Sequence, residues 1–282
     1  MTGDRYREWI GRVDERQDRL SPAVANMMRA ALSDAGQPTV DVRDGEVLPP
    51  LWHWAAFHPT EALSELGAEG HPKRGGFLPD VPLERRMWAG GRLTFHRPLH
   101  IGETIRRRSE ILKIEEKSGG AGPMVFVTVG HDVHGEAGLA VSEEQDIVYI
   151  AMPESYRPPK PIPAPEKPDV DIKVSVDPVR LFRYSAATFN GRRIHYDLAY
   201  TTEVEKYPAL VVHGPLQATL LMGIAVSHRG RAPASFDYRG VHPMFDNEPM
   251  RLVGLARDED GMELCTAAPA GHQGLQARAR WT

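Results

Sequence analysis

The 282-residue sequence predicts an α+β protein built from two similar halves. Long stretches that alternate apolar and polar residues and are rich in β-branched side chains indicate antiparallel strands. In each half, these strands follow a region of loops and helix. Residues 153–168 contain seven prolines in sixteen positions, which is typical of an extended, semi-rigid connector. We therefore expect an N-terminal domain over residues 1–152 and a C-terminal domain over residues 169–282.

The overall composition excludes several functional classes. A formal net charge of -4 and a pI near 6.3 argue against a nucleic-acid binder, which is normally basic. No run of about 18 apolar residues is present, so we expect no insertion into a membrane. The first residues lack the apolar core of a signal peptide, so the cytoplasm is the expected compartment. The single cysteine, Cys265, rules out an intrachain disulfide and is expected to be a small buried residue in a strand.

The N-terminal half is expected to begin with helix and to continue as a meander. Apolar spacing predicts helix from residue 4 to about residue 32, with a new start at Ser21-Pro22. Trp52 and Trp54 are expected in the core, and residues 67–82, rich in Gly and Pro, are expected to form a surface loop. The strands are expected at residues 87–99, 104–116, 124–133 and 140–150. The arginine run at 106–108 is typical of a solvated face, although phosphate recognition remains an alternative.

The C-terminal half repeats this order with a longer helix. Residues 174–184 predict a short strand that leads into a helix, and Asp197 is placed to cap the next helical segment. The apolar residues after Gly214 predict a buried helix that ends near Gly230. Four strands are expected to follow, at residues 236–246, 250–256, 262–268 and 275–281.

Two stretches of this half carry the residues suited to chemistry. Residues 182–197 bring a Tyr, an Asn, two Arg, a His and an Asp together. Residues 211–222 place His213-Gly214-Pro215 at the start of the apolar helix. Free amides at a helix start attract negative charge, and a nearby histidine can move protons near neutral pH. The pattern predicts a site that stabilises an enolate-like intermediate.

These residues resemble the hydratase signature of the MaoC-like enoyl-thioester hydratases. Phe189-Asn190 and His195-Tyr196-Asp197 match the family's loop, and Val212-His213-Gly214 matches the entry of its central helix. The resemblance is to the branch that includes the type 2 3-hydroxyacyl-thioester dehydratases and mesaconyl-C4-CoA hydratase, and it extends through residues 48–54 and 90–99. It implies a double hot-dog fold, in which each of two curved antiparallel sheets wraps around a central helix. It also implies that the N-terminal half lacks a catalytic loop and shapes the acyl pocket.

The family reaction is the reversible addition of water to an enoyl thioester. The resemblance implies that His195 is the base and that the Gly214 amide stabilises the charged thioester oxygen, because Pro215 has no N–H. The family's catalytic acid is replaced here by Thr188 or by Asn190, depending on how the loop is aligned. Asn190 could orient the water, with help from Tyr184.

The remaining residues of the loop are assigned to substrate binding: Arg192, Arg193, His213 and Thr188. An arginine fork suits a free carboxylate, which favours short dicarboxylic CoA esters such as mesaconyl- or itaconyl-CoA. The resemblance implies no metal and no redox cofactor, since the thioester carrier belongs to the substrate. Dehydration of 3-hydroxyacyl groups on acyl carrier protein and a non-catalytic acyl-CoA-binding module remain alternatives. A monomer and a homodimer are both compatible with the sequence.

Overall fold

The computed structural model describes residues 4–33, 40–119, 122–258 and 260–282. Apart from one strand near the N-terminus, its longer elements follow the predicted order of strands and helices. They are β1 (Val13–Arg19), α1 (Pro22–Leu32), β2 (Arg85–Phe95), β3 (Thr104–Gly119), β4 (Gly122–Gly135), β5 (Gly138–Ile150), β6 (Val170–Val174), α2 (Pro178–Thr188), α3 (Gly214–Arg229), β7 (Ser235–Gly240), β8 (Met250–Ala256), β9 (Gly261–Ala267) and β10 (Gln273–Arg280). The α+β class predicted from the sequence is confirmed.

All ten of these strands form one antiparallel sheet in the order β1-β3-β4-β5-β2-β7-β10-β9-β8-β6. The first five strands come from the N-terminal half and the last five from the C-terminal half. The strands follow the same order in the two sets. The sets meet edge to edge where β2 pairs with β7. This pairing makes a single continuous sheet out of two related units. The expected duplication is therefore visible in the strand order.

Helix α3 fills the centre of the C-terminal half. Residues 216–225 are all buried, and the helix packs against β8, β9 and β10. Ser21 caps α1 through its Oγ, which accepts a hydrogen bond from the Val24 amide at 3.4 Å. Helix α1 of the N-terminal half packs against α2 of the C-terminal half and against the short 3-10 helix Trp52–Ala55. A cavity of about 2080 Å³ extends between the two halves and includes inward-facing residues of β3 and β5 in its lining.

The helical prediction for residues 4 to about 32 is only partly correct. A 3-10 helix covers Asp4–Trp9, and α1 begins at Pro22 as expected, but Val13–Arg19 is the edge strand β1. Gly11, with φ at +84°, ends the first helical turn. Residues of β1 are alternately exposed and half-buried and pair with β3. The periodicity around Trp9 and Arg16 was compatible with both conformations, and the pairing decided between them.

Other local predictions are confirmed. Trp52 is fully buried, and Cys265 lies buried in β9. Gly230 ends α3 in the left-handed conformation with φ at +69°, as its position predicted. In the described part of the chain, no helix is long and apolar enough to cross a membrane.

Candidate active site

The loop after α2 is held by backbone geometry. Phe189 adopts the left-handed conformation, with φ at +49°, and the Asn190 amide donates to the Ser185 carbonyl at 2.8 Å. This turn ends α2 and directs the chain toward the 3-10 helix Arg193–His195. Asp197 then caps the next helical turn, where its Oδ1 accepts from the Tyr200 amide at 3.0 Å, as predicted. The result is a fixed loop that presents its polar side chains at the cavity.

His195 is buried and has a defined tautomer. Its Nδ1 lies 2.7 Å from the Val211 carbonyl oxygen, which can only accept, so Nδ1 carries the proton and Nε2 keeps a lone pair. Burial lowers the pKa of His195 to about 3, against a smaller opposite effect of the Val211 carbonyl. The nearby Arg192 lowers this pKa further. His195 is therefore a neutral base at neutral pH, and it lines the cavity.

His213 lies directly behind His195. The two rings stack with centroids 3.6 Å apart and planes inclined by 20°. His213 is fully buried, and its Nε2 is 2.8 Å from Ser185 Oγ. Burial, followed by electrostatic coupling to the neighbouring His195, holds the pKa of His213 well below its usual range. The sequence assigned His213 to substrate binding, but it is not among the residues that line the cavity, and it supports the ring of His195 instead.

Gly214 opens α3 at the cavity wall. A side chain at this position would meet no atom within 4 Å, so there is open space in front of the backbone. The first amides of a helix lack partners within the helix and carry the positive end of its dipole. Since Pro215 has no N–H, the Gly214 amide is the helix-start donor beside the cavity.

Asn190 uses its carbonyl oxygen to hold the loop. Oδ1 accepts from the Arg192 amide at 3.0 Å and lies 3.3 Å from Nε2 of His71. Thr188 Oγ1 donates to the Tyr184 carbonyl at 2.7 Å within α2. Burial raises the pKa of Tyr184, so its phenol stays protonated at neutral pH. Asn190, Thr188 and Tyr184 all line the cavity.

His71 was missed by the sequence analysis, which expected residues 67–82 to be a surface loop. Part of this loop docks on the site, because the Arg193 amide donates to the Glu69 carbonyl at 2.9 Å. His71 lines the cavity, and its buried Nδ1 has no hydrogen-bond partner in the described chain. Burial, with smaller effects of Arg86 and Arg192, holds the pKa of His71 well below its usual range. A neutral His71 that donates from Nε2 to Asn190 keeps an acceptor at Nδ1.

Arg192 belongs to a buried charge cluster. Its Nη2 lies 3.1 Å from Glu205 Oε1, and Arg85 Nε lies 2.7 Å from Glu205 Oε2. Arg192 also lines the cavity, and its Nη1 has no hydrogen-bond partner among the residues described. One carboxylate between two buried guanidinium groups leaves a surplus positive charge beside His195. Glu205 gave no signal in the sequence, because its role depends on two distant partners.

Arg193 is the residue that departs most from its expected place. Its Nη2 pairs with Asp197 Oδ2 at 2.8 Å, and its guanidinium carbon lies 4.1 Å from the centre of the Tyr200 ring. Arg193 lines a separate cavity of about 770 Å³, not the one at His195. Adjacent positions on the 3-10 turn thus send the two arginines to different sides of the loop.

The main cavity therefore brings together six of the eight residues selected from the sequence. They are Tyr184, Thr188, Asn190, Arg192, His195 and Gly214. A neutral histidine and a helix-start amide are groups that can serve as a general base and as an oxyanion donor. Across the described ranges, no group of three or more His, Cys, Asp or Glu side chains could hold a metal ion.

Comparison with known proteins decides the family. The model of the family described as hydroxyacyl-thioester dehydratase type 2 matches residues 51–246. The chain belongs to this family. Within this MaoC-like dehydratase group, it is similar to the mesaconyl-C(4)-CoA hydratase of Chloroflexus aurantiacus, with 44% identity over 98% of each chain. It is also similar to the mitochondrial hydroxyacyl-thioester dehydratase type 2 of Schizosaccharomyces pombe, with 27% identity over 84% of this chain and 88% of the relative.

A solved structure agrees with the fold. A Mycobacterium tuberculosis protein described as having a double hotdog fold aligns with a TM-score of 0.60 at 14% identity. The alignment covers 96% of this chain and 95% of that one. The predicted double hot-dog fold is confirmed, as is the predicted membership of the dehydratase family. As a member of that family, the protein is a hydro-lyase that acts on thioesters.

Proposed function

We propose that this protein is an enoyl-CoA hydratase that adds water reversibly to a short dicarboxylic enoyl thioester of the mesaconyl-C4 or itaconyl type. The observation that carries the proposal is the neutral, buried His195, whose Nε2 is free to act as a base on the cavity beside Gly214. The relative from Chloroflexus aurantiacus, similar over nearly the full length, is named for the same reaction class.

The reaction begins with the thioester oxygen near the Gly214 amide. His195 Nε2 takes a proton from water while the water oxygen bonds to Cβ, and the electron pair of the double bond moves toward the thioester oxygen. The Gly214 N–H stabilises that oxygen, and a preorganised donor of this kind contributes roughly 2.7–4 kcal/mol to the transition state. The proton on Nε2 then passes to Cα, which completes the addition of H and OH.

Two side chains take over the orientation of water in the absence of a loop carboxylic acid. His71 Nδ1 is a buried acceptor that lines the same cavity. It can accept the second hydrogen of the attacking water, while the hydrogen bond from Nε2 to Asn190 fixes the imidazole. In this scheme His195 both takes the proton from water and delivers it to Cα, and His71 and Asn190 are positioning residues. The proposed scheme uses only the chain's own groups, with no metal and no redox cofactor.

The preference for a dicarboxylic acyl group rests on Arg192. Its Nη1 is buried without a partner, next to a base that must stay neutral. A carboxylate on the acyl group would supply the missing hydrogen bond and balance the surplus charge of the cluster with Arg85 and Glu205. A long hydrocarbon chain would leave Nη1 of that guanidinium without a hydrogen bond in a dry site, which is costly.

The test is the loss of enoyl-thioester absorbance with a panel of substrates. The panel contains crotonyl-, decenoyl-, mesaconyl- and itaconyl-CoA, together with crotonyl-acyl carrier protein. Turnover of the two dicarboxylic esters well above the others is expected. Faster turnover of crotonyl- or decenoyl-CoA would overturn the substrate assignment, and preference for the acyl carrier protein would move the enzyme to fatty-acid synthesis. Binding of every ester without any turnover would overturn the proposal in favour of a non-catalytic acyl-CoA-binding module.

A further inference from the structure

The arginine run of β3 is split between two faces of the sheet. Arg106 and Arg108 are exposed and bond to Gln17 and Glu110. Arg107 lies between them and lines the main cavity. Strand alternation places its side chain on the same face as the buried Ile105. The expectation of a solvated face therefore holds for Arg106 and Arg108 but not for Arg107.

Arg107 has no polar partner in the described structure. Its Nε is buried without a hydrogen bond, and no described carboxylate forms an ion pair with its guanidinium. The guanidinium makes a cation–π contact with Phe57, whose ring centre lies 4.7 Å from the guanidinium carbon. Burial lowers the pKa of Arg107, with a further effect of Arg16. Asp14, Glu143 and Asp18 act on this pKa in the opposite direction, but none of them forms an ion pair with the guanidinium. A half-buried cation without a contacting carboxylate is unfavourable in the free protein.

The nearby acids are already engaged. Arg16 lies directly opposite Arg107 on β1, an unfavourable like-charge pair. Asp14 contacts Arg16 Nε at 3.0 Å, and Glu61 lies 3.6 Å from Arg16 Nη2. Both acids therefore offset the charge of Arg16. Neither acid forms an ion pair with the guanidinium of Arg107.

Asp18 and Glu143 are the remaining acids near Arg107, and both have other partners. Asp18 Oδ2 accepts from the Phe57 amide at 2.6 Å. Glu143 Oε2 accepts from Trp54 Nε1 at 3.0 Å and lies 3.4 Å from His53 Nε2. Its pKa is lowered despite burial, because His53 and Trp54 hydrogen-bond to it, so it is ionised at neutral pH. Glu143 belongs to a compact buried cluster and not to an ion pair with Arg107.

A polar strip crosses the same part of the sheet. Ser109 Oγ lies 2.8 Å from His131 Nδ1, and His131 Nε2 lies 3.2 Å from Gln145 Oε1. Gln145 and Arg107 both line the cavity. A wall with hydrogen-bonding groups and an unpaired guanidinium suits a polar ligand better than a hydrocarbon chain.

We propose that Arg107 is a second anion subsite of the cavity, which binds an oxyanion of the thioester ligand. Its planar fork matches a carboxylate or a phosphate. The oxyanion is either a phosphate of CoA or the acyl carboxylate, which would then contact Arg107 in place of Arg192. The assignment of the anion to the substrate rests on the proposed function. The site itself rests on the unpartnered guanidinium.

The test is calorimetric binding of two saturated thioesters and of the thiol pantetheine, none of which is turned over. Succinyl-CoA carries a free carboxylate, butyryl-CoA lacks it at the same chain length, and pantetheine lacks the phosphates of CoA. The variants are Arg107→Gln and, as a matched control, Arg106→Gln, the exposed neighbour on the same strand. Arg106→Gln is expected to bind all three ligands as the wild type does.

The pattern of loss in Arg107→Gln identifies the anion. An affinity loss of about tenfold or more for succinyl-CoA alone supports the carboxylate. A similar loss for both CoA esters, with pantetheine unaffected, supports the phosphate. Wild-type affinity for all three ligands would overturn the subsite and leave the proposed function intact. Failure of the wild-type protein to bind either CoA ester would overturn both.

A folding control accompanies the binding test. Arg107→Gln removes a half-buried cation that has no ion pair, so its melting temperature without ligand is expected to be no lower than that of the wild type. If this variant does not fold, Arg107→Lys replaces it in the binding test, because lysine keeps the charge and lacks the planar fork. A loss of at least about threefold in affinity then supports the subsite, and unchanged affinity overturns it.

Discussion

His195 and His213 lie face to face, with ring centroids 3.6 Å apart. Such close stacking requires that both rings remain neutral, because a proton on either would place a buried charge against the other ring. A hydrogen bond fixes each ring, from His195 Nδ1 to the Val211 carbonyl and between His213 Nε2 and Ser185 Oγ. The stack thus orients the base and holds it in its unprotonated form.

The first prediction concerns the dependence of kcat/KM on pH. Protonation of His195 would inactivate the base, and its pKa is lowered to about 3 by burial. A lowered pKa keeps the neutral form at lower pH, so kcat/KM should stay constant from about pH 8 down to about pH 5. Initial rates of hydration across this range provide the measurement. An acidic limb near pH 6.5, the usual value for histidine, would contradict the account.

The control for this experiment is folding. Buried neutral histidines take up protons on unfolding below about pH 6.5, so each contributes stability that is lost as pH falls toward its folded-state pKa. The slope for one such histidine is at most about 1.4 kcal/mol per pH unit. Circular dichroism at each pH separates this loss of stability from an effect on the reaction.

The second prediction tests the support behind the base. Ser185→Ala leaves His213 Nε2 without its hydrogen bond at 2.8 Å. The stacked pair should become less well positioned, and kcat should fall about tenfold with little change in KM. Steady-state kinetics measure both quantities, and the exposed Ser118→Ala on β3 is the matched control. A rise in KM alone would show that Ser185 serves binding and not the position of His195.

The third prediction concerns His71. His71→Ala removes the acceptor at Nδ1 and the contact with Asn190 Oδ1. We expect kcat/KM to fall by about tenfold to a hundredfold, because water and Asn190 both lose a positioning partner. The exposed His228→Ala serves as the control for loss of a histidine. Equal values of kcat/KM for the two variants would show that His71 does not position the water.

The fourth prediction concerns stability. Glu205→Gln leaves the buried guanidinium groups of Arg85 and Arg192 without their shared carboxylate. The free energy of unfolding should fall by about 3–5 kcal/mol, measured by denaturant titration. Glu203→Gln, an exposed acid two residues away, should change it by less than about 0.5 kcal/mol. Comparable values for the two variants would mean that the buried cluster does not stabilise the fold.

Much of the fold was predictable because its signals are local. The long alternation of β3 to β5, the proline and cap at the start of α1 and the glycine after α3 each mark an element without reference to the rest of the chain. The strand β1 was not predictable in this way. Its polar residues, from Val13 to Arg19, become a strand through pairing with β3.

The same distinction applies to the site. His195, Asn190 and Gly214 stand close together in the sequence or in a recognisable pattern, and the cavity includes all three. His71 and Glu205 act through contacts with residues far away in the chain, so no local pattern identified them. For Arg107, period-2 alternation with Ile105 was a usable signal, but only the register of β1 and β3 shows that its charge is unpaired.

The most direct test of the account compares wild type and His195→Gln in the hydration of mesaconyl-CoA. Glutamine keeps a polar side chain of similar size but cannot accept a proton from water. The account predicts that the wild type turns over and that kcat of the variant falls by about 10²-fold to 10⁴-fold, with binding of succinyl-CoA retained. A variant that hydrates mesaconyl-CoA as fast as the wild type would show that His195 is not the base.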